Sequence, residues 1–187
     1  MTGVVLIGGK SKRFGSDKVL SQFRGKPLIE HVLDTIQPLF DAIILVGHRR
    51  KGLEKYRVVE DTEPGCGPLG GVYTALNSIQ SEYCFVCAGD MPNMSREFIS
   101  FMITQADNYD IVMPVWSKGR EPLHAIYCRT IIPYAASMLE KNDFRIFSLI
   151  EKVNTLIIPE ETIRIYGYPH VLFSNINTIG DMVRLRS

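Results

Sequence analysis

Apolar positions recur along the chain in two alternating rhythms. Val4 to Ile7 is a short apolar run that stops at Gly8-Gly9. After a polar loop, Leu28, Ile29, Val32, Leu33, Ile36, Leu39 and Phe40 repeat at helical spacing behind Pro27, whose fixed φ suits a first turn. Strands follow over "AIILVG" and "YRVVED", then a helix over "GGVYTALNSIQS" and a strand over "YCFVCAGD". A helix over "SREFISFMITQADN" and a strand over "DIVMPVW" come next. Strands that alternate with helices in this way predict an open, mostly parallel sheet with helices on both faces. Its ligand site lies outside the carboxyl ends of the strands. The tail predicts a strand at "HAIYC", helices over residues 131–141 and 145–153, a strand at "TLIIP" and a short last helix from Ile179. No repeat or linker interrupts the pattern, so residues 1–187 read as one domain.

Composition narrows the picture. A chain of 187 residues, 45% hydrophobic and 22% charged, is long enough to form its own core without staples. A net charge of +1 excludes a protein that coats nucleic acid with one basic face. The N-terminal apolar run is too short for a secretory signal. The longest uncharged stretch, Pro64 to Ser81, carries four Gly and two Pro and cannot span a bilayer. The expectation is a cytoplasmic protein with no membrane and no nucleic-acid partner. Cys84 and Cys87 form a C-x-x-C inside a strand, where residues three apart face opposite ways, so they read as small core residues rather than metal ligands.

Chemistry gathers at the strand ends. Gly8-Gly9 with Lys10, Lys12, Arg13 and Lys18 follow the first strand, and Gly47-His48-Arg49-Arg50 the second. Asp61 and a Gly-Pro loop follow the third, and Gly89-Asp90-Met91-Pro92 the fourth. Glycine lets backbone N–H groups approach a ligand, cations neutralise phosphate, and a carboxylate beside them suits Mg²⁺ with phosphate oxygens. This set fits a nucleoside triphosphate with Mg²⁺. Gly9-Lys10-Ser11 is not a P-loop, because the motif needs glycine where Val4 stands. Gly65 to Gly70 satisfies G-x-G-x-x-G, but it is set off from its strand, belongs to the third strand, and carries Pro68 inside the turn.

Taken together, "LIGGKSKRFGSDK", "EDTEPGCGPLGGVYTAL", "CAGDMP", "EPLHAIY" and "FSNINT" resemble the successive motifs of the molybdenum cofactor guanylyltransferases, the MobA-like nucleotidyltransferases. The resemblance implies a three-layer, Rossmann-like fold of the nucleotide-diphospho-sugar transferase type. It also implies transfer of GMP from GTP to molybdopterin cofactor with release of pyrophosphate. Leu6, Gly8, Gly9, His48, Asp61, Gly67 and Gly70 would then contact the nucleotide, Arg13 and Lys18 its phosphates, and Asp90 would bind Mg²⁺. The resemblance also implies that Arg13, Lys18 and Asp90 form the catalytic set and that His124, Asn175 and Asn177 lie on the acceptor side. Cofactor-delivering proteins and apoenzymes are the candidate protein partners. Two departures stand out: His48 occupies a position that is Asn in many relatives, and the "GSDK" loop is short. A cytidylyltransferase using CTP, acting on molybdopterin or another small phosphate, and a nucleotide-binding accessory protein without catalysis remain open.

Overall fold

Residues 1–8, 17–178, 180 and 181 are described by the computed structural model. Along the chain lie β1 (Thr2–Leu6), β2 (Gln22–Phe23), β3 (Lys26–Pro27), α1 (Leu28–Ile36), β4 (Ala42–Val46) and β5 (Val58–Val59). Next come α2 (Gly67–Ser78), β6 (Tyr83–Ala88), α3 (Arg96–Thr104), β7 (Ile111–Trp116), β8 (Gly119–Arg120) and β9 (His124–Cys128). The chain closes with α4 (Ile132–Glu140), α5 (Ile146–Ile150), β10 (Thr155–Ile158), α6 (Glu160–Ile163) and α7 (Pro169–Leu172).

Local chemistry sets the boundaries. The first helix was expected to run to Phe40, yet α1 ends at Ile36 and a 3₁₀ turn covers Gln37–Leu39. Pro38 lacks the N–H that an α-helix would need there. Pro68 sits in the first turn of α2, where a missing N–H costs nothing. Ser95 caps α3 by accepting the Phe98 N–H at 3.1 Å. Of the strand expected over "YRVVED", only Val58 and Val59 pair, because β5 has β4 alone as its neighbour. The final helix expected from Ile179 falls largely outside the described residues.

The main sheet runs β10-β7-β9-β6-β1-β4-β5, with β8 hung on β7. β6, β1, β4 and β5 are parallel neighbours, and β10 is parallel to β7. β9 is antiparallel to both β6 and β7. The carboxyl ends of β1, β4, β6 and β7 therefore share one edge with the amino end of β9. Side chains alternate across this sheet. Cys84 and Val86 pack with Leu69, Val72 and Leu76 of α2, whereas Phe85 and Cys87 pack with Val32 of α1 and Phe98 of α3. Helices cover both faces, which makes three layers. The two thiols face opposite layers, as their spacing predicts, and burial pushes both pKa values up. No described helix is long and apolar enough to cross a membrane.

One core position is chemically unusual. His124, opposite Cys87, is fully buried, with Phe98 stacked on its ring at 5.7 Å and Phe85 and Phe173 edge-on at 5.1 Å. Neither ring nitrogen has a hydrogen-bond partner among the described residues. Burial disfavours the imidazolium and lowers its pKa from 6.5 to about 3. Between these values the unfolded chain holds a proton that the folded chain does not, so stability is complete above pH 6.5 and falls as pH drops toward 3. The parent should lose about 1.4 kcal/mol per pH unit in this window relative to His124→Phe. Urea denaturation of both proteins at several pH values checks this. Parallel stability curves would remove the titration from His124.

Candidate active site

Three strands of the parallel half release the chain in step. Ile7 N–H donates to the Val46 carbonyl at 2.9 Å, Gly89 N–H to Leu6 at 3.0 Å, and Gly47 N–H to Val59 at 3.0 Å. Gly47 has φ +143°, and a Cβ there would sit 2.9 Å from the Gly8 nitrogen. Only glycine lets the exits of β1 and β4 lie this close. Gly8 is exposed and open, while half-buried Leu6 packs against Gly71 at the start of α2.

Lys18 is where the edge converges. Its ammonium pairs with Asp90 Oδ2 and donates to Asn177 Oδ1 at 2.9 Å. The paired side chains of Lys18 and Asp90 are each 15% exposed. Asn177 reaches them because Ile176 N–H donates to the Asp90 carbonyl at 3.0 Å and the Ile176 side chain is buried with Phe23 and Leu28. Its neighbours Asn175 and Asn177 remain exposed. Asn93 adds a tie to Ser174 at 3.1 Å. Asp90 Oδ1 is buried and accepts no hydrogen bond among the described residues. A buried carboxylate oxygen without a donor suits a cation. No group of three or more His, Cys, Asp or Glu among the described residues forms a cage, so an ion here needs ligands from substrate or water, as Mg²⁺ does.

Arg50 is a residue whose role the sequence left unassigned. Its Nη1 donates to both carboxylate oxygens of Asp17 at 2.8 and 2.9 Å, and its Nη2 to the Ile7 carbonyl at 2.9 Å. One guanidinium thus ties the end of β1 to the residue before Lys18. The signal lay in the cations after the second strand, but nothing in sequence distinguished Arg50 from Arg49.

The remaining sequence-selected residues separate clearly. Gly9 and Arg13, with Lys10 and Lys12, lie outside the described residues. Asp61 Oδ1 accepts from the Glu63 N–H at 3.1 Å and the Thr74 hydroxyl at 3.0 Å, which orients the carboxylate at the end of β5. His48 is exposed, 3.4 Å from Glu60. Gly67 is exposed with φ +63°, but Gly70 is buried, and a Cβ there would meet the Glu63 carbonyl at 2.7 Å. Gly70 accordingly serves the close approach of loop and helix, not ligand contact. His124 also needs correction, since it lies in the aromatic core and does not face the acceptor side. Beyond Asn177 a cleft of about 440 Å³ opens, lined by Trp116, Lys118, Glu121, Phe173 and Asn175. Glu121 was passed over although it stands in the quoted "EPLHAIY".

Comparison with known proteins accords with this geometry. Residues 3–155 match the family model of the MobA-like NTP transferase domain. The chain belongs to this family. It is 37% identical to a probable molybdenum cofactor guanylyltransferase of Thermococcus gammatolerans, over 99% of this chain and 98% of the relative. It is 33% identical to a protein of the same description from Natranaerobius thermophilus, over 100% and 95% of the two chains. The crystal structure of molybdopterin-guanine dinucleotide biosynthesis protein A from Archaeoglobus fulgidus superposes with a TM-score of 0.84 at 27% identity, covering 100% of this chain and 97% of that one. The 2-C-methyl-D-erythritol 4-phosphate cytidylyltransferase of Thermus thermophilus, at 13% identity and a TM-score of 0.69, shares the fold, with 98% and 96% covered. The chain is thus a MobA-like nucleotidyltransferase with the three-layer fold that its motifs implied.

The Arg50 contacts yield a prediction. Arg50→Met keeps the stem but removes four hydrogen bonds, two of them to a carboxylate and two to backbone carbonyls, and should cost about 1.5–3 kcal/mol. Arg50→Lys should recover only part, because an ammonium cannot present a fork. Chemical denaturation measures both, and a loss below the error for Arg50→Met would make the tie incidental.

Proposed function

We propose that this protein transfers GMP from GTP to molybdopterin cofactor and releases pyrophosphate, as one nucleotidyltransferase domain over residues 1–187 working in the cytoplasm. The observation that carries this reading is the Lys18 ammonium, shared between Asp90 at the nucleotide side and Asn177 at the acceptor side. An ammonium has three N–H donors. With two engaged among the described residues, the third can meet a phosphate oxygen. The names of the relatives supply the substrates, and the five motifs supply the residues.

Roles follow from position. Leu6, Gly8, Gly9 and Asp61 hold base and ribose, with His48 beside them, and Gly67 shapes the turn into α2. Arg13 and Lys18 meet the phosphates. Asn175 and Asn177 orient the terminal phosphate of the acceptor. An oxygen of that phosphate attacks the α-phosphorus, and the bond to the bridging oxygen of pyrophosphate breaks as the new P–O bond forms. No covalent intermediate with the protein is required. Asp90, through its unpartnered Oδ1, is the residue that would hold Mg²⁺. Bound there, the ion would supply positive charge to the phosphate oxygens. Proteins that bring molybdopterin and apoenzymes that take the product complete the scheme as partners.

Two measurements test the reading. GTP with Mg²⁺ at about a hundredfold excess over its Kd should raise the melting temperature by roughly 5–10 °C, with CTP and ATP well behind. Equal shifts for CTP would turn the assignment to a cytidylyltransferase. Asp90→Asn keeps the shape of the side chain and removes its charge. In single-turnover formation of the dinucleotide product at saturating GTP across a Mg²⁺ series, it should be slower by about a hundredfold or more. A variant as fast as the parent at every Mg²⁺ concentration would remove Asp90 from the mechanism.

A further inference from the structure

The cleft beyond Asn177 has chemistry that phosphate transfer does not use. Trp116 presents an aromatic ring there, braced by Phe173 at a centroid distance of 6.0 Å. The Lys118 ammonium lies 5.3 Å from the centre of the Trp116 ring. Trp116 Nε1 donates to Glu121 Oε1 at 2.6 Å, and no other donor to this carboxylate, and no ion pair, occurs among the described residues. Burial pushes the Glu121 carboxyl up, as expected of a carboxylate with too few donors around it. Asn177 also lines the cleft, and its amide oxygen already accepts from Lys18.

These groups are complementary to a flat heteroaromatic ring that carries adjacent N–H donors and a phosphate tail. The ring meets Trp116, the tail meets Asn177 and Lys18, and Glu121 faces the donors with Oε2, which has no donor among the described residues, and the second lone pair of Oε1. We propose that Glu121 selects the acceptor by accepting hydrogen bonds from the 2-amino and N3–H groups of its pterin ring, beside Trp116. The proposal rests on the guanylyl-transfer reading and assigns the ring end of the same site. A carboxylate receives these two parallel N–H donors as it receives a guanidinium, and a carbonyl at C2 would instead turn a lone pair toward it. Specificity then comes from a repulsion as well as an attraction.

Trp116 is the sole tryptophan of the chain, so its emission reports on this cleft alone. The probes are 6-hydroxymethylpterin monophosphate and 6-hydroxymethyllumazine monophosphate, which differs by a C2 carbonyl in place of the amino group. Each is titrated against the full-length protein without GTP. The parent should bind the pterin about tenfold or more tightly than the lumazine, the discrimination typical of one two-point hydrogen-bond pair. Glu121→Gln can still accept the Trp116 N–H, so the hairpin brace persists, while its amide N–H₂ now faces the ring. This variant should lose pterin affinity and gain lumazine affinity, which a purely structural Glu121 would not produce. Equal affinities in the parent, or an unchanged preference in Glu121→Gln with the free Trp116 emission retained, would overturn the proposal. Pyrophosphate release from GTP with molybdopterin is measured in parallel. Transfer without pterin preference defeats only the ring assignment, whereas pterin preference without transfer defeats the reaction and leaves the ring site.

Discussion

A single ammonium group holds the working edge of this protein together. Lys18 meets Asp90 from the end of β6 and Asn177 from the segment after α7, so residues far apart in sequence share one cation. The pair is largely shielded from water, where a lone carboxylate or ammonium would be costly. Because Asp90 keeps one buried oxygen without a donor among the described residues, this cluster is incompletely satisfied by them. That deficit distinguishes a site from a structural salt bridge. Surface pairs such as Arg145 with Asp143 are closed locally and carry no such demand.

Around that centre two ties position the backbone. Arg50 fixes the backbone just before Lys18, and Ile176 pins the asparagine segment by burying its side chain under the β2–β3 hairpin. Phe173 links the core to the cleft, since it packs on His124 in the one and on Trp116 in the other. The neutral imidazole, without a hydrogen-bond partner among the described residues, is therefore part of the floor beneath that cleft. Its chemistry is that of an aromatic plate.

Much of this was legible in the sequence. The strands with continuous apolar runs, the helices with a clear period and the glycines and charges at the strand ends all emerged from periodicity and spacing alone. Lys18 and Asp90 stand out at the strand ends, and Asn177 through the family motif "FSNINT". What periodicity cannot carry is direction and partnership. "HAIYC" reads as a strand whichever way it runs, so the antiparallel setting of β9 was invisible. The two-residue strands β2, β3 and β8 are too short to show alternation. Arg50 and Glu121 acquire their roles through distant partners or a hairpin turn, and no local pattern marks them. His124 was misplaced for the complementary reason. A histidine in a motif suggests chemistry, whereas the apolar character of its neighbours on both strands had already assigned it to the core.

The reversed strand β9 acts as a spacer. Inserted between β6 and β7, it sets their carboxyl ends two strand widths apart, roughly 9–10 Å from backbone hydrogen-bond geometry alone. The loop bearing Asp90 and the hairpin bearing Trp116 and Glu121 are held at that separation by main-chain atoms that no side-chain substitution alters. The sheet thus fixes the spacing between the two places, and Asn177, which lines the cleft and reaches Lys18, spans it. A change of side chain in the β7–β8 hairpin therefore alters what the cleft can fit without moving the strand that carries Asp90.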